Sequence, residues 1–344
     1  MKQVLSPKEL ARAIGVSESS LKRWADDGLI RATRTGGGHR RIPIAEAIRF
    51  LRETEATLVH PEILGLPDVE AVAGAMPARE DEAERLHTYI EGGHAREARG
   101  LILSMYLEGR SVAEICDGPI RLAMHRIGDL WRHGPEGIFI EHRATDICAQ
   151  AINQLRSTLQ PVPGTFGEGN RAAASRDSVP IVPDTEAGEH AAPDTEERTP
   201  VATGGAPAGD PYMLPSLMAA ASLEGEGFRA INLGPDSPPE ALLLAARHHR
   251  ADLVWLSASA EDLRAADLSG QIDALLAGLS EIGLSLIIGG NALQRVQPPA
   301  SSSLHIGQSM AELVAFAKGI ALAAKGSPPS APPGEGHPPS ANGQ

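Results

Sequence analysis

The sequence predicts a multidomain chain of mixed α and α/β class: a small helical head, a four-helix bundle and a five-stranded parallel, doubly wound sheet. Three observations support this class. Helix-capping patterns lie close together near the N-terminus, apolar residues recur three and four positions apart in the middle, and apolar runs alternate with helical stretches toward the C-terminus. With 344 residues, the chain is long enough for two or three separate cores.

The charge of the chain is unevenly distributed. The formal net charge is −13, yet residues 1–53 hold 11 Lys or Arg against 6 Asp or Glu. The other residues hold 20 Lys or Arg against 38 Asp or Glu. A basic head on an acidic body indicates that only the head contacts a polyanion, because the body would be repelled by one.

Residues 1–55 contain the pattern of a winged helix-turn-helix. "SPKELARAIG" starts with Ser6 as N-cap, has Glu9 three residues later and ends at a glycine. "VSESSLKRWADDGL" repeats the pattern with Ser17 as N-cap. Only two residues separate the helices, so they turn sharply on each other. "IRATRTGGGHRRI" then alternates like two short strands around a glycine turn, which predicts a wing.

The head is predicted to bind DNA. The second helix would lie in the major groove, and the wing would contact the phosphate backbone through charge-assisted hydrogen bonds. The alternative is a solvated basic surface on a protein-binding module. The residues predicted to contact DNA are Ser19, Ser20, Lys22, Arg23, Arg34, His39, Arg40 and Arg41.

The stretches "LKRWADDGLI" and "GGGHRRI" resemble the second helix and the wing of MerR-family transcription regulators, a resemblance that covers residues 3–53. It implies an oligomer that binds palindromic promoter elements in double-stranded DNA. The same winged pattern occurs in excisionase-like proteins, so a recombination cofactor stays open as a remote alternative.

Residues 56–79 are predicted to be a linker, and residues 80–160 a four-helix bundle, since their apolar residues recur at helical spacing between glycines. Cys116 and Cys148 lie far apart and form no CxxC, which excludes a disulfide framework or zinc site built on them alone. We expect both to be buried as small hydrophobic residues.

Residues 200–325 are predicted to form the parallel sheet, of flavodoxin-like or Rossmann-like type. Five apolar runs alternate with helical stretches; they are "PVATGG", "FRAINLG", "ADLVWLSAS", "LSLIIGG" and "SSLHIG". Ligands of such sheets bind beyond the C-terminal strand ends. Residues 161–199 and 326–344, rich in Pro, Gly or acidic residues, are predicted to be a disordered insertion and a disordered tail.

Trp131, nine further residues and then Glu141 and His142 resemble a motif in the helical cap of light-responsive, cobalamin-binding MerR-family repressors. In that family a winged head, a four-helix bundle and a cobalamin-type α/β domain follow in this order, and the bundle covers the upper face of adenosylcobalamin. Taken without the resemblance, these residues are a core tryptophan and a solvent-facing Glu-His pair.

The α/β domain of that family carries Asp-x-His-x-x-Gly, then Ser-x-Leu or a similar triplet, and then Gly-Gly. Tyr212 stands here at the histidine and Pro215 at the glycine. The resemblance gives that histidine the role of lower axial cobalt ligand, which a neutral phenol replaces poorly. Arg132 follows the tryptophan where light sensors of the family can have a cobalt-trapping histidine, and His133 comes one place later. The positions that match are Asp210, Ser257, Ser259, Gly289 and Gly290.

We therefore predict a transcription regulator, not an enzyme, whose cobalamin-type module controls oligomerisation and promoter binding after loss of histidine ligation to cobalt. The alternative is a regulator that still binds a corrinoid and responds to light or corrinoid level. The ligand is then adenosylcobalamin without protein histidine ligation, another tetrapyrrole, or none, and no residue is assigned as catalytic or as a metal ligand. If a ligand binds, its predicted contacts are Trp131, Glu141, His142, Asp210, Tyr212, Ser257, Ser259, Gly289 and Gly290.

The expected partners are promoter DNA, further copies of the chain in a dimer or tetramer, and an antagonist protein. No stretch approaches the roughly 18 apolar residues of a membrane span, and the N-terminus lacks the pattern of a signal peptide. The expected location is the cytoplasm, without membrane contact.

Overall fold

The computed structural model of the chain describes residues 4–74, 76–130, 134–159 and 198–326. All of the predicted insertion except residues 198–199, and all of the predicted tail except Gly326, lie outside the described residues. Within these four ranges, no helix combines the length and the hydropathy that a bilayer crossing requires.

The head is a helical unit with a three-stranded antiparallel sheet of order β1-β3-β2. Ser6 Oγ accepts from Glu9 N at 3.3 Å and the Glu9 carboxylate accepts from Ser6 N at 2.8 Å, which confirms the predicted cap. The predicted helix pair and wing are present, and the sheet adds β1, too short to show alternation in the sequence. The elements are β1 (Val4–Leu5), α1 (Pro7–Ala13), α2 (Glu18–Asp26), β2 (Thr33–Arg34), β3 (Arg40–Pro43) and α3 (Ile44–Thr54).

The bundle consists of four helical rods, as predicted. One rod is composite: α6 continues through a π-helical turn, Cys116–Ile120, into α7. Pro119 lies in this turn, where the irregular hydrogen bonding tolerates its missing N–H. The elements are α4 (Glu82–Gly92), α5 (Ala95–Leu107), α6 (Val112–Ile115), α7 (Arg121–Leu130) and α8 (Pro135–Leu159).

The two cysteines lie in the bundle core, free and fully buried, as predicted. Burial raises the pKa of Cys116 and of Cys148 to about 12. Both thiols are therefore protonated at neutral pH and unreactive as nucleophiles.

The segment 56–79, predicted as a linker, is folded against the bundle. Two 3-10 helices, Pro61–Leu64 and Pro67–Val72, bury Leu64 and Val72. They approach α5 so closely that a Cβ on Gly100 would lie 2.1 Å from the carbonyl oxygen of Asp68. The sequence lacks helical periodicity here, so this packing was not predicted.

The α/β part is a parallel five-stranded sheet of order β5-β4-β6-β7-β8, which confirms all five predicted strands. Helices α9 and α12 pack on one face of the sheet, and α10 and α11 on the other. The elements are β4 (Val201–Gly205), α9 (Leu214–Glu224), β5 (Arg229–Asn232), α10 (Pro239–His249), β6 (Leu253–Ser257), α11 (Ala265–Ser280), β7 (Ser285–Gly289), β8 (Leu304–Ile306) and α12 (Met310–Gly326).

The three parts share contacts that join them into one body. A single apolar cluster runs from the head through the bundle to Leu214, Leu217 and Met218 of α9. Arg156 of α8 donates twice to the Glu224 carboxylate of α9, at 2.7 and 2.8 Å.

Two further contacts connect the bundle to its neighbours, one to the α/β part and one to the head. The Asp117 carboxylate accepts from the first amides of α12, Met310 N at 2.8 Å and Ala311 N at 3.0 Å. Arg52 of α3 donates to two carbonyl oxygens, that of Tyr106 in the last turn of α5 and, at 2.9 Å, that of Arg110 in the loop after it, and its guanidinium lies 3.8 Å from the ring centre of Tyr106. The head is thereby fixed to the bundle.

Candidate DNA interface and candidate ligand cleft

A groove of about 470 Å³ separates the start of α1 from α2 and the wing. Lys22, His39, Arg40 and Arg41, all predicted to contact DNA, line it together. Lys8 also lines it, which the sequence did not reveal. The only available indication was that Lys8 follows the N-cap Ser6 by two residues, in the exposed first turn of α1.

The wing has a fixed tip. Thr35 N donates to His39 O at 2.9 Å, Gly38 N donates to Thr35 O at 2.7 Å, and His39 N donates to Thr35 Oγ1 at 3.2 Å. Gly38 has φ +79°, a backbone conformation that favours glycine, whereas a Cβ on Gly36 would meet nothing within 4 Å. Of these two glycines, only Gly38 is required by the turn.

The serines at the start of α2 are engaged in capping. Ser17 Oγ lies 2.9 Å from Ser19 Oγ and 2.8 Å from Ser20 Oγ, and accepts from Ser20 N at 3.1 Å. Ser19 is exposed and Ser20 half-buried. Their hydroxyls therefore sit at the positive end of the α2 dipole, where an anion such as phosphate is favoured.

The predicted cations differ in how they are held. Arg40 pairs with Asp26 of α2, and Lys22 pairs with Glu18 at 2.7 Å. Among the residues that the structure describes, no ion pair holds the exposed Arg23 or Arg34. The ion pair of Arg40 with Asp26 connects the wing to α2, whereas the side chains of Arg23 and Arg34 are available to phosphate.

A second region of interest is the loop after β4. Asp210 is fully buried, and its carboxylate accepts from three backbone amides. They are Tyr212 N at 3.0 Å, Ser259 N at 2.6 Å and Ala260 N at 3.0 Å. Asp210 therefore ties the loop after β4 to the loop after β6 at the C-terminal edge of the sheet.

The β4 loop lies near the first half of α8, since the charge of Glu141 acts on the Tyr212 phenol; we call the region between them the ligand cleft. Tyr212 is 44% and Phe139 58% exposed. Partial burial, followed by the negative charges of Glu141 and neighbouring carboxylates, raises the pKa of the Tyr212 phenol. Glu141 is mostly buried and accepts from Thr145 Oγ1 at 3.0 Å, whereas His142 is exposed.

The ends of β6 and β7 approach each other through two glycines. Gly290 has φ +112°, and a Cβ there would lie 2.0 Å from Ala258 O. A Cβ on Gly289 would lie 3.0 Å from Gly307 O. Close backbone packing is therefore enough to require Gly290, with or without a ligand. Ser257 and Ser259 lie on either side of Ala258 at the same edge.

Comparisons with known proteins match two parts of the chain. Residues 6–42 match the model of the MerR family regulatory protein, and residues 82–156 match that of the B12 binding domain. The head therefore contains a segment similar to the MerR family, and the bundle a segment similar to the B12 binding domain. The chain is 25% identical over 258 residues to the HTH-type transcriptional repressor CarA of Myxococcus xanthus, and the match covers 73% of this chain and 75% of the repressor.

Solved structures that are similar to the chain include corrinoid proteins. The Methanosarcina barkeri monomethylamine corrinoid protein superposes with a TM-score of 0.46 and 16% identity, covering 71% of this chain and all of that one (100%). A novel cobalamin-binding protein of Desulfitobacterium hafniense DCB-2 gives a TM-score of 0.30 and 14% identity, covering 69% of this chain and 98% of that chain.

The predicted ligand contacts of the chain fall into three groups. Glu141 and His142 lie on the α8 side of the cleft, and Asp210 and Tyr212 on the opposite loop. The residues at the ends of β6 and β7 lie beside that loop. Trp131, like Arg132 and His133, lies outside the described residues.

The β4 loop, at the position where the resembled family has its lower axial ligand, does not fit a histidine-ligated cobalt. The β4 loop, residues 206–213, contains no histidine. Its phenol, Tyr212, has a raised pKa and stays protonated at neutral pH, so it is a poor axial ligand. Asp210, instead of orienting an imidazole, is engaged by three backbone amides. No group of three or more His, Cys, Asp or Glu side chains in the described ranges could hold a metal ion.

Proposed function

We propose that the chain is a transcription regulator that binds promoter DNA through the groove between α1, α2 and the wing. Its C-terminal module would control oligomerisation and so promoter affinity. The observation that carries the proposal is the convergence of Lys8, Lys22, His39, Arg40 and Arg41 on one groove of an otherwise acidic chain. Glu18 also lines the groove and is paired with Lys22, so the remaining cations give the groove a net positive charge that attracts the phosphate backbone.

The proposed binding geometry assigns α2 to the major groove and the wing to the adjacent backbone. Exposed Arg23 on α2 reaches outward, and the α2 N-terminus offers its dipole to a phosphate. Arg40 is held against Asp26, so this ion pair fixes the wing before DNA arrives. Preorganisation of this kind lowers the entropic cost of binding.

Oligomerisation is proposed to set affinity because one small head makes few contacts. Two heads joined through their bodies bind two half-sites far more tightly than one head does. A ligand or protein that favours one oligomeric arrangement therefore changes promoter occupancy without touching the DNA. The shared core and the Arg156–Glu224 contact support such transmission from the α/β part to the bundle and head.

We further propose that histidine ligation of cobalt has been lost and that the chain is not an enzyme. The phenol of Tyr212 and the engaged carboxylate of Asp210 support the first statement. The match to a repressor supports the second. The residues of the cleft would bind a ligand through non-covalent contacts, without ligating a metal and without catalysing a reaction.

The wing arginines provide the test of DNA binding. The full chain is used to select its sites from random double-stranded DNA, and affinity for a selected site is measured across salt concentrations. We expect Arg41→Ala, and separately Arg34→Ala, to reduce the salt slope by about one, because one phosphate contact is lost. Arg264→Ala, which removes an exposed cation from the body, is the control. An unchanged slope for both wing variants would place the wing off the DNA.

Lys8 is predicted from the structure, and not from the sequence, to contact DNA. Lys8→Ala is expected to weaken binding to all selected sites about equally and to lower the salt slope by about one, as for a phosphate contact. Arg12→Ala is the matched control, since Arg12 lies one turn later on α1 and does not line the groove between α2 and the wing. Equal effects of the two variants would contradict a specific role for Lys8.

A further inference from the structure

A short turn joins α2 to the first strand of the wing. It comprises residues 27–32, between the end of α2 and the start of β2, and we call it the wing turn. At its start, the amides of Leu29 and Ile30 donate to the Trp24 carbonyl of α2, at 2.9 and 3.3 Å. The direction in which the wing leaves α2 therefore depends on what holds the rest of the turn.

Glu46 of α3 holds the wing turn through its backbone. Its Oε1 accepts from Arg31 N at 2.7 Å, although the two residues lie 15 positions apart. The Glu46 side chain is 5% exposed, and Arg49 supplies two further donors to its carboxylate, Nε at 2.9 Å and Nη2 at 2.5 Å. A buried carboxylate is tolerated when it is paired and hydrogen-bonded, and these three donors meet that condition.

Arg49 holds the same turn through a carbonyl. Its Nη2 donates to Leu29 O at 3.0 Å, so the Glu46–Arg49 pair contacts a C=O and an N–H two residues apart. In the four described ranges, no other side chain forms a hydrogen bond with the backbone of the wing turn. Neither residue of the pair lines the groove between α1, α2 and the wing. The pair thus acts on the wing from the side away from the groove.

The apolar contacts between α2 and α3 do not perform the same task. The rings of Trp24 and Phe50 lie 5.4 Å apart and hold the two helices together, but apolar packing is not directional. The planar fork of a guanidinium requires its acceptors at defined angles. The Glu46–Arg49 pair therefore sets the direction of the wing turn, whereas the packing sets how closely α2 approaches α3.

We propose that Glu46 and Arg49 are positioning residues of the DNA interface, which fix the direction of the wing relative to α2 before DNA binds and do not contact DNA. The proposal rests on the proposed function in that it takes the groove as the DNA-binding surface. Without the pair, the wing is ordered only when DNA binds, and this entropic cost lowers affinity. The wing arginines still reach the same phosphates, so the salt dependence stays the same.

The first test measures the affinity of the full chain for a selected DNA site across salt concentrations. Arg49→Ala is expected to weaken binding by about tenfold with an unchanged salt slope. Glu53→Gln is the matched control, because it removes only the exposed partner of Arg49, and it should keep the affinity. A slope lowered by about one would make Arg49 a phosphate contact and overturn the proposal, as would an unchanged affinity.

Glu46 provides a second pair of variants. Glu46→Gln keeps an oxygen that can accept from Arg31 N, so it should lose less affinity than Glu46→Ala, which keeps none. Equal losses in the two variants would contradict a role that depends on this hydrogen bond. If Glu46→Ala does not fold, Arg49→Ala, at a side chain that is 33% exposed, still decides the proposal.

A double variant separates positioning from a general loss of stability. Arg41→Ala is combined with Arg49→Ala at a temperature at which both chains are folded. If the pair positions the wing, the Arg41 contact contributes less without it. The combined loss of affinity is then expected to be smaller, by about threefold or more, than the product of the two single losses. A combined loss equal to that product would contradict positioning of the wing.

Hydrogen exchange of the free chain tests the positioning without DNA. The amide of Arg31 is expected to exchange about tenfold or more faster in Arg49→Ala than in the unaltered chain, whereas that of Leu21 inside α2 should not change. Unchanged exchange in the wing turn contradicts the inference whether or not DNA binds. An unaltered chain that selects no DNA contradicts the proposed promoter binding, and the exchange rates then decide the positioning by themselves.

Discussion

Replacing Asp210 by alanine is expected to lower the free energy of unfolding of the α/β part by about 5 kcal/mol, since three hydrogen bonds to a charged group contribute about 1.5–3 kcal/mol each. Three backbone amides, on two different loops, donate to this one buried carboxylate. The smaller side chain leaves them without an acceptor and leaves a cavity at the edge of the sheet. Urea unfolding followed by circular dichroism measures the change.

Two further variants separate the hydrogen bonds from the volume. Asp210→Asn keeps one oxygen, so it can serve Tyr212 N but not also Ser259 N and Ala260 N, and about half of the loss is expected. Asp262→Asn, at an exposed carboxylate on the nearby loop, should leave stability nearly unchanged. Equal stability of the Asp210→Ala chain and the unaltered chain would mean that the two loops are held together by other contacts.

The second large effect is expected at the joint between α8 and α9. Arg156→Ala leaves Glu224 mostly buried without its cation, and removal of one partner of such a pair costs about 3 kcal/mol. Arg247→Ala breaks an exposed pair with Glu281 and should cost less than about 1 kcal/mol. Thermal and urea unfolding of both variants provide the comparison.

A double variant distinguishes the ion pair from the packing around it. Arg156→Met combined with Glu224→Leu replaces both charges by apolar groups of similar size and should recover most of the lost stability. If the double variant is as unstable as Arg156→Ala, the stability at this joint comes from geometry that only the ion pair provides. Either chain can then be tested for whether ligand-dependent changes still reach the head.

The local parts of the fold could be predicted from the sequence because their determinants are local. The Ser6 and Glu9 cap joins residues three positions apart, and the five strands are short apolar runs between helices. The segment 56–79 was misjudged as a linker because its burial depends on the missing side chain of Gly100, which lies far along the chain. Spacing alone carries no information about such a distant approach.

In the candidate sites, too, residues close in sequence could be predicted together, whereas contacts between distant residues could not. The basic residues of α2 and the wing were predicted as a group, since they are close in sequence. The inclusion of Lys8 depends on how α1 turns against the wing, and the three partners of Asp210 depend on the juxtaposition of two strand ends. In the sequence Trp255 cannot be distinguished from the other apolar strand residues. Its close packing depends on Gly204, which lies on the neighbouring strand.

The packed segment 56–79 and the anchored Arg52 have a consequence for the operator. The direction of α2 is set by the body of the protein and not by a flexible tether. Two copies joined through their bodies would present their recognition helices at one separation and one rotational angle. Since B-DNA repeats about every 10.5 base pairs, half-sites out of phase could be reached only by twisting the duplex. The spacing between half-sites is then determined by packing inside the protein, far from any base pair.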